Sequence, residues 1–295
     1  MDILSQLLRS GKPILLDGAM GTMLMAAGLE SGDAPEAWNI LHPERVQKIH
    51  RAYIEAGSQI FLTNSFGGTP FRLAMHGLED RTAELNAAAG RIARQVADES
   101  DREVLVAGSI GPSGQLFEPM GTLTYEDAVS AFKDQASGLA EGGVDLFWIE
   151  TMSDLDEIKA AVAGIREVSD LPVTGTMSFD THGHTMMGVS PGRAASELGQ
   201  LDLVALGANC GTGSDELIEA IKAMKAEAPE ATLIAKANAG IPQVIGDEVL
   251  YNGSPEVMAA YAREVYQAGA QLIGGCCGNT PAHIQAMAGT LEQFS

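Results

Sequence analysis

Short runs of apolar residues, many of them β-branched, recur along the whole chain. Each run is followed by Gly, Ser, Asn or Thr, and then by a longer stretch whose apolar residues have helical spacing. Within the runs the apolar residues do not alternate with polar ones, which is typical of parallel strands covered on both faces. The pattern predicts eight strands, at residues 13–17, 58–63, 103–109, 145–150, 172–179, 202–209, 232–238 and 270–275.

The stretches between these strands contain signals for the starts and ends of helices. In residues 42–57, Pro43 stands near the start and Gly57 at the end, where the first turn tolerates proline and glycine terminates the helix. Thr124 and Ser254 are each placed to cap a helix N-terminus. Together these signals predict helices over residues 42–57, 124–132, 254–269 and 279–293.

Eight strands that each precede a helix indicate a (β/α)8 barrel, a TIM barrel in the α/β class. A chain of 295 residues suits one such domain, and no linker or low-complexity segment divides it. We therefore expect a single barrel domain over residues 1–295. The alternative arrangement of the same elements is a doubly wound open sheet, but a count of eight is what barrel closure requires.

Composition narrows the function classes. The chain has 39 acidic residues against 18 Lys and Arg, a formal net charge of −21, so it is a poor candidate for binding nucleic acid or an anionic membrane surface. No run approaches the roughly 20 apolar residues of a membrane span, and the N-terminus lacks a secretory signal pattern. Three cysteines in a chain of this length do not form a disulfide framework. We expect a cytoplasmic protein.

The chemistry of a (β/α)8 barrel lies at the carboxyl ends of its strands. In this chain each predicted strand end is polar or rich in glycine, and all three cysteines lie at such ends. Cys210 follows the sixth strand, and Cys276 and Cys277 follow the eighth. Because the strand ends of a barrel converge on one mouth, we expect the three thiols to meet there.

Three thiolates at one point are typical of a catalytic zinc site, in which three protein ligands leave the fourth position open. A thiol substrate in that position would be held as a nucleophilic thiolate. Other interpretations are burial of the cysteines as small apolar residues, a strained Cys276–Cys277 disulfide and a nucleophile paired with a histidine. His283 has the spacing of an ordinary surface residue of the following helix, and iron–sulfur sites usually need four cysteines.

Six segments together resemble the homocysteine S-methyltransferase family, over nearly the whole chain. This family includes betaine-dependent enzymes and the homocysteine-binding module of cobalamin-dependent methionine synthase. The segments, in chain order, are LLDGAMGT (15–22), FLTNSFGGTP (61–70), IGPSG (110–114), WIETMSD (148–154), GANCGTG (207–213) and GGCCGNTPAHI (274–284).

The resemblance implies a (β/α)8 barrel that binds Zn²⁺ through Cys210, Cys276 and Cys277. It further implies that homocysteine is the substrate, that its sulfur takes the open position on zinc, and that this sulfur attacks a methyl group. The product would be methionine.

The ammonium and carboxylate of homocysteine need their own partners. Asp17 and Glu150 are the carboxylates at strand ends, and we expect them to bind the ammonium, similar to their use in the family. The N–H groups of Gly18 and Ala19 are candidates for the carboxylate. Asp17 could instead serve as a turn former and Glu150 as an acid at a helix N-terminus. Asn209, beside a zinc ligand, either orients the zinc site or caps its strand.

Several methyl donors fit this scheme. Betaine users in the family hold the quaternary ammonium with aromatic residues, whereas only 5% of this chain is aromatic. Phe66, Phe71 and Trp38 are the candidates for such a cage, and Trp38 could instead anchor the loop after the first strand. The segment TNSFGG is more similar to the methionine synthase module, which implies a methylated corrinoid as donor. Betaine, S-methylmethionine and S-adenosylmethionine remain alternatives.

A corrinoid donor would have to be carried by another protein. The segment FDTHGHT (179–185) begins like Asp-x-His-x-x-Gly but has Thr185 in place of the glycine, so we interpret His182 and His184 as loop residues. Two alternatives come from other function classes. One is a non-catalytic subunit that presents homocysteine within a split methionine synthase, and the other is an aldolase in which Lys236 forms a Schiff base.

Overall fold

The computed structural model describes residues 3–245 and 248–294. Eight parallel strands form one sheet, and two antiparallel strands form a separate hairpin. The strands of the sheet are β1 (Ile14–Leu15), β2 (Ile60–Leu62), β3 (Leu105–Ile110), β4 (Leu146–Met152), β5 (Val173–Met177), β6 (Ala205–Cys210), β7 (Leu233–Ala237) and β10 (Ala270–Gly275), and the hairpin consists of β8 (Pro242–Ile245) and β9 (Glu248–Tyr251).

The eight-stranded sheet closes on itself. Its strand order is β1-β10-β7-β6-β5-β4-β3-β2. An isolated parallel bridge between Leu16 and Ile60 joins the two ends of this order, and the N–H of Gln59 donates to the carbonyl of Leu15 at 2.7 Å. The fold is therefore a (β/α)8 barrel, as predicted from the sequence. The open doubly wound alternative is wrong, because its edge strands would stay unpaired.

One long helix follows each barrel strand and packs around the sheet. This outer ring comprises α4 (Pro43–Glu55), α6 (Thr82–Asp98), α7 (Tyr125–Glu141), α8 (Leu155–Arg166), α9 (Pro191–Leu198), α10 (Ser214–Glu227), α11 (Pro255–Gln267) and α12 (Pro281–Leu291). Shorter helices are α1 (Ile3–Arg9) before the barrel and, in the connections that follow β1 and β2, α2 (Gly21–Ala26), α3 (Trp38–Leu41) and α5 (Pro70–Ala74). In the part of the chain that is described, no helix is long and apolar enough to span a bilayer.

The predicted helix starts are confirmed by their caps. The hydroxyl of Thr124 accepts the N–H of Asp127 at 3.1 Å, and the hydroxyl of Ser254 accepts the N–H of Val257 at 3.4 Å. Helix α7 continues to Glu141, well past the predicted end at residue 132. One glycine, Gly138, lies inside the helix without ending it, and the helix stops only at the glycine pair 142–143.

Two apolar layers hold the barrel together. The smaller layer fills the barrel interior with side chains from most of the strands, among them Ile14, Leu62, Trp148 and Ile234, and Leu4 of α1 packs against them. The larger layer lies between the sheet and the helix ring. Both faces of the strands are thus buried, which accounts for their lack of alternation.

Candidate metal and substrate site

The inward-facing rows of the strands change from apolar to polar toward their carboxyl ends. In β4 the row runs from Leu146 through Trp148 to Glu150, and in β7 from Ile234 to Lys236. Because alternate residues of a strand face the same side, each polar residue lies directly above the apolar barrel interior. The same alternation brings Ser109 of β3 and Asn209 of β6 to the barrel mouth.

The three cysteines meet at this mouth with free thiols. All three Sγ atoms lie within 4.8 Å of one another, and among the described residues this is the only group of three or more Cys, His, Asp or Glu side chains placed to share a metal ion. Cys210 has a φ of 59° and Gly211 a φ of 80°. A left-handed conformation is costly for a residue with a Cβ, so the surroundings must hold Cys210 in it.

Two asparagines fasten the loops that carry the cysteines. The amide of Asn238 donates to the carbonyl of Gly211 at 2.8 Å and accepts the N–H of Cys277 at 3.0 Å. The amide of Asn279 donates to the carbonyl of Cys276 at 3.1 Å. The end of β7 therefore positions both cysteine loops at once, although sequence reasoning did not select Asn238 or Asn279.

Asn209 connects β4, β5 and β6 below the sulfur atoms. Its Oδ1 accepts the N–H of Thr151 at 2.8 Å and the hydroxyl of Thr176 at 2.6 Å. Its Nδ2 donates to the hydroxyl of Thr151 at 2.7 Å and lies 3.5 Å from Cys210 Sγ and 3.9 Å from Cys276 Sγ. Asn209 thus bonds to β4 and β5 and lies beside two of the sulfurs.

Hydrogen bonds among the thiols separate their pKa values. Bonds donated by Cys210 and Cys276 hold the pKa of Cys277 far below its usual range. The bond between Cys210 and Cys276 raises the pKa of Cys210 well above its usual range, and burial adds to this. The three thiols therefore titrate as one coupled group, in which the hydrogen bonds favour a first negative charge within the cluster.

The sulfur cluster fits a zinc ion. Tetrahedral Zn–S bonds of about 2.3 Å place sulfur ligands about 3.8 Å apart, and the three Sγ atoms, within 4.8 Å of one another, need only small adjustments to reach that spacing. All three cysteines line the cavity described below. The fourth tetrahedral position would therefore face a ligand in that cavity.

Asp17 is not a free carboxylate. Its Oδ1 lies 2.7 Å from Lys236 Nζ, with both side chains 3% exposed, and its Oδ2 accepts the N–H of Leu62 at 2.8 Å. Burial alone would lower the pKa of Lys236, but the charges of Asp17 and Glu150 outweigh it and the pKa is raised. A lysine that holds its proton this firmly is a poor amine nucleophile, which contradicts the aldolase hypothesis.

Glu150 is the second buried acid at the mouth. Its Oε1 accepts the hydroxyl of Ser109 at 2.6 Å, and it lies in an irregular stretch of β4, where the register shifts between Ile149 and Met152 and Thr151 has a φ of 63°. Bulges of this kind re-aim side chains next to functional sites. Burial raises the pKa of Glu150, while the charge of Lys236 opposes the rise.

Asp17, Glu150, Lys236 and the three cysteines line one cavity of about 370 Å³. The same cavity is lined by a second cluster of polar and charged side chains, which the sequence did not indicate. This cluster consists of Glu36, Arg72 and His76. Glu36 is only 4% exposed, and its Oε1 accepts the N–H of Gly67 at 2.7 Å. Burial raises the pKa of Glu36, and Arg72 and His76 act against the rise. Glu36 lies in a connection without a polarity pattern, so no sequence signal marked it as buried.

Only part of the predicted backbone site is available to a ligand. Both Gly18 and Ala19 line the cavity, but the N–H of Ala19 donates to the carbonyl of Asn279 at 3.0 Å. The N–H of Ala19 is thus already used within the chain, so Gly18 stays the candidate donor to the substrate carboxylate. A Cβ at Gly18 would lie 2.6 Å from the carbonyl oxygen of Asn279 and 2.8 Å from the Tyr53 ring, so this position requires glycine.

The three aromatic residues considered for a betaine cage do not come together at the cavity. Trp38 is buried, with Arg45 lying over its ring at 4.9 Å, so it anchors the loop after β1. Phe71 packs against the helix layer. Phe66, 39% exposed, is the only Phe, Tyr or Trp among the described residues that line the cavity.

The sequence predicted the surroundings of His182 and His184 correctly but not those of His283. The expectation that His283 is a surface residue is wrong. Its side chain is buried, its Nδ1 accepts the N–H of Thr280 at 3.0 Å, and its Nε2 lies 2.8 Å from the carbonyl of Gly253. His182 and His184 lie in the connection between β5 and α9, where His184 Nδ1 lies 3.2 Å from the carbonyl of His182. Both are loop residues, as predicted.

The fold and the site together define a (β/α)8 barrel with a cluster of three thiols at its mouth, placed to share a metal ion. Comparison with known families then gives the more specific result. The family described as homocysteine S-methyltransferase matches residues 14–291, and the chain belongs to this family.

Individual relatives agree with this assignment. The chain is 34% identical to a methionine synthase of Mycobacterium tuberculosis, over 100% of this chain and 25% of the relative, and 33% identical to a methionine synthase of Mycobacterium leprae, over 94% and 24%. It thus spans about a quarter of the length of these relatives. The metallated form of the Escherichia coli homocysteine methyltransferase MmuM superposes with a TM-score of 0.79 at 26% identity, covering 96% of this chain and 98% of MmuM.

Proposed function

We propose that this protein is a zinc-dependent homocysteine S-methyltransferase that forms methionine, with the methyl group supplied by a protein-bound corrinoid. The observation that carries the proposal is the cluster of three cysteine sulfurs within 4.8 Å of one another at the barrel mouth. A zinc ion held there would bind the sulfur of homocysteine as a thiolate at neutral pH.

The buried charges suit the ammonium of homocysteine. The ion pair of Asp17 and Lys236 is neutral as a unit, so an ionised Glu150 leaves one net negative charge beside the cysteines. One ammonium balances this charge, and a buried ammonium needs such a partner. Glu150 is therefore the direct acceptor, whereas Asp17 acts mainly through Lys236. The N–H of Gly18, on the same cavity wall, is a donor for the carboxylate.

Methyl transfer needs little further chemistry from the protein. The bond between sulfur and the methyl carbon forms as the bond between methyl and its carrier breaks, and the electron pair of that bond stays with the carrier. The chain contributes orientation, by fixing the ammonium at Glu150 and the sulfur at the cysteines. Fixing both ends aims the sulfur lone pair at the cavity opening, which is a proximity effect.

Exposed apolar side chains around the mouth support a protein-borne donor. Of the thirteen exposed large apolar residues of the described chain, all except Val204 lie in the connections from strand to helix or in the first turn of the helix that follows. Four are methionines, each 60–70% exposed: Met25, Met75, Met120 and Met186. Exposed apolar side chains gathered at one end of a protein suit a protein interface, and methionine adapts well to such a surface.

The same cavity is poorly suited to betaine. A quaternary ammonium is normally held by several aromatic rings, and Phe66 is the one such ring that the described residues contribute. S-methylmethionine remains the second candidate donor, because Glu36 and Arg72 offer one charge of each sign for the ends of a zwitterionic amino acid.

The first test is metal content. We expect about one zinc per chain by mass spectrometry and less than a tenth of that in each of the variants Cys210→Ser, Cys276→Ser and Cys277→Ser. Thr280→Ser, a control of similar size next to the site, should keep its zinc. A wild-type chain that holds no zinc after reconstitution under reducing conditions would overturn the proposal.

The second test compares donors with the zinc-loaded chain. Homocysteine is incubated with methylcobalamin, S-methylmethionine or betaine, and methionine is measured. Methionine from methylcobalamin alone supports the corrinoid assignment, and methionine from S-methylmethionine alone replaces it with the second donor. Zinc and homocysteine binding without methionine from any donor would indicate the non-catalytic homocysteine-presenting subunit.

A further inference from the structure

Buried hydroxyl groups at the ends of β2 and β3 lead to Glu150. The hydroxyl of Ser109 in β3 donates to Glu150 Oε1 at 2.6 Å. The hydroxyls of Thr63 and Ser65, which follow β2, lie 2.6 Å apart. All three hydroxyl residues are at most 2% exposed, and they line the same cavity as Glu150. Each hydroxyl in such a place needs an acceptor for the one proton that it carries.

The hydrogen bonds show which atom donates in each of these contacts. The hydroxyl of Ser65 donates its one proton to the carbonyl of Ser109 at 2.8 Å, so the proton between the hydroxyls of Thr63 and Ser65 comes from Thr63. The hydroxyl oxygen of Thr63 in turn accepts the N–H of Ser109 at 2.9 Å. Ser109 is thus held through both its N–H and its carbonyl, which aims its hydroxyl at Glu150.

The helix layer holds the same two serines from outside the barrel. Gln135 of α7 is fully buried. Its Nε2 donates to the carbonyl of Ser65 at 2.7 Å and lies 3.3 Å from the carbonyl of Ser109. The position of Ser109 is therefore fixed by the fold itself, before any ligand enters the cavity.

Only one oxygen of Glu150 is used within the chain. Oε1 accepts the hydroxyl of Ser109, and the nearby Lys236 forms its ion pair with Asp17 instead. Oε2 forms no hydrogen bond or ion pair with the described residues, and it is not sealed from the cavity that Glu150 lines. One oxygen of this carboxylate is thus anchored, and the other is free for a ligand.

We propose that Ser109 is a positioning residue, which anchors one oxygen of Glu150 and so presents the other oxygen to the ammonium of homocysteine. The inference rests on the proposed function, in which Glu150 accepts that ammonium. A carboxylate that is oriented in advance need not be ordered when the ligand binds, and ordering one side chain typically costs about three- to tenfold in affinity. Because the one hydroxyl proton of Ser109 is used on Glu150, this residue acts on the ligand through Glu150.

The variant Ser109→Ala removes the anchor, and two ligands of the zinc-loaded chain report the effect. Homocysteine carries the ammonium, whereas 4-mercaptobutyrate has the same thiol and carboxylate without it. By titration calorimetry, we expect the Kd of homocysteine to rise about three- to tenfold and that of 4-mercaptobutyrate to stay within about twofold of wild type. An equal loss for both ligands would indicate a merely structural role, and it would overturn the inference, as would no loss for either.

A double variant tests whether Ser109 acts through Glu150. When Ser109→Ala is added to Glu150→Gln, the affinity for homocysteine should change little further, because the carboxylate that Ser109 orients is already absent. A further loss as large as that in the wild-type background would mean that Ser109 contacts the ligand directly. The positioning role would then be wrong.

Ser113→Ala is the matched control. The hydroxyl of Ser113 also donates to a buried glutamate, Glu157, at 2.5 Å, but neither residue lines the cavity. Both ligands should bind this variant as they bind wild type.

Two further outcomes separate the inference from the proposed function. Should Ser109→Ala fail to fold, Ser65→Ala loosens Ser109 without changing its side chain, and it should lower the affinity for homocysteine alone. A loss for both ligands, or for neither, would overturn the inference there too. Equal wild-type affinity for the two thiols would also overturn it, since no group would then recognise the ammonium. If the zinc-loaded wild type binds neither thiol, the proposed function itself fails.

Discussion

At the scale of single residues, the ion pair of Asp17 and Lys236 decides which charges are left for a substrate. The two side chains are 2.7 Å apart and 3% exposed, so each neutralises the other in a place without water. We expect Lys236→Met to lower the free energy of unfolding by about 3–5 kcal/mol, since it leaves Asp17 buried without a partner. The double variant Asp17→Asn/Lys236→Met should lose much less than the sum of its single variants.

Urea unfolding measures this cycle, and the chain offers a surface pair as control. Lys222 and Glu219 are also 2.7 Å apart, but their side chains are 55% and 72% exposed. Removing Lys222 should therefore cost at most about 1 kcal/mol. Equal losses for Lys222→Met and Lys236→Met would show that burial does not set the strength of the inner pair.

Glu150 provides the second prediction at this scale. Glu150→Gln should weaken homocysteine binding about 10–100-fold, because it removes one charged hydrogen bond, and should leave zinc content unchanged. Since burial raises the pKa of Glu150, homocysteine affinity in wild type should fall as the pH falls through this raised pKa, where the carboxylate takes up a proton. The variant should lose the part of this pH dependence that comes from Glu150 and keep the part that comes from release of the thiol proton of homocysteine.

Titration calorimetry at several pH values measures both effects. Glu157→Gln is the matched control, because Glu157 is likewise buried and accepts the hydroxyl of a serine, Ser113, at 2.5 Å, but does not line the cavity. A similar loss of affinity in both variants would mean that Glu150 acts only by supporting the fold.

At the scale of elements, helix α4 packs a histidine against the barrel. His50 is fully buried beside Phe61 of β2, with ring centroids 5.0 Å apart, and its ring nitrogens have no hydrogen-bond partner in the described part of the chain. Burial alone lowers the pKa of His50 to about 3. The folded state therefore keeps this imidazole neutral, whereas the unfolded chain protonates it below a pH of about 6.5.

It follows that His50 destabilises the fold in acid. The contribution begins as the pH falls through about 6.5 and grows until the pH reaches the folded-state pKa, because only the unfolded state gains the proton in that interval. Between pH 7 and pH 5 it amounts to about 2 kcal/mol. Urea unfolding of His50→Leu should show a loss in this interval that is smaller by about that amount. An identical pH dependence in wild type and variant would refute the assignment.

The same scale shows why the strands could be predicted and their functional ends only in part. Each run of apolar residues was visible because both faces of a barrel strand are buried. The polar residues near the strand ends, such as Asn209 and Lys236, were visible because they interrupt these apolar runs. The ion pair of Lys236 with Asp17 was not predicted, although only β10 lies between β7 and β1, because the sequence pattern does not show which of the polar side chains at the mouth pair with one another.

At the scale of the whole molecule, closure of the barrel brings motifs that are far apart in sequence together at one site. The cysteines of β6 and β10 come together because β7 lies between these strands and pairs with both. A count of eight strands was enough to predict this. The hairpin with Tyr251 was not predicted, because it is added to the β7–α11 connection and follows no rule of the barrel, and Glu36 reaches the cavity from a similar addition after β1.

Zinc removal tests whether the barrel fold depends on a metal ion bound at the three cysteines. The three cysteines proposed as ligands lie above the two apolar layers, which contain none of them, so the metal-free chain should keep its fold at 25 °C. Binding to the folded state alone stabilises it by about 4 kcal/mol when free zinc exceeds its Kd a thousandfold. For a chain of this size, chelation should then lower Tm by on the order of 10 °C, while the far-UV circular dichroism at 25 °C stays unchanged.

Collapse of that spectrum on chelation would instead mean that the metal is required for the fold, and Cys210→Ser should then unfold as well. Retention of both the spectrum and the Tm would mean that no zinc was bound, and the function proposed for the three cysteines would have to be abandoned.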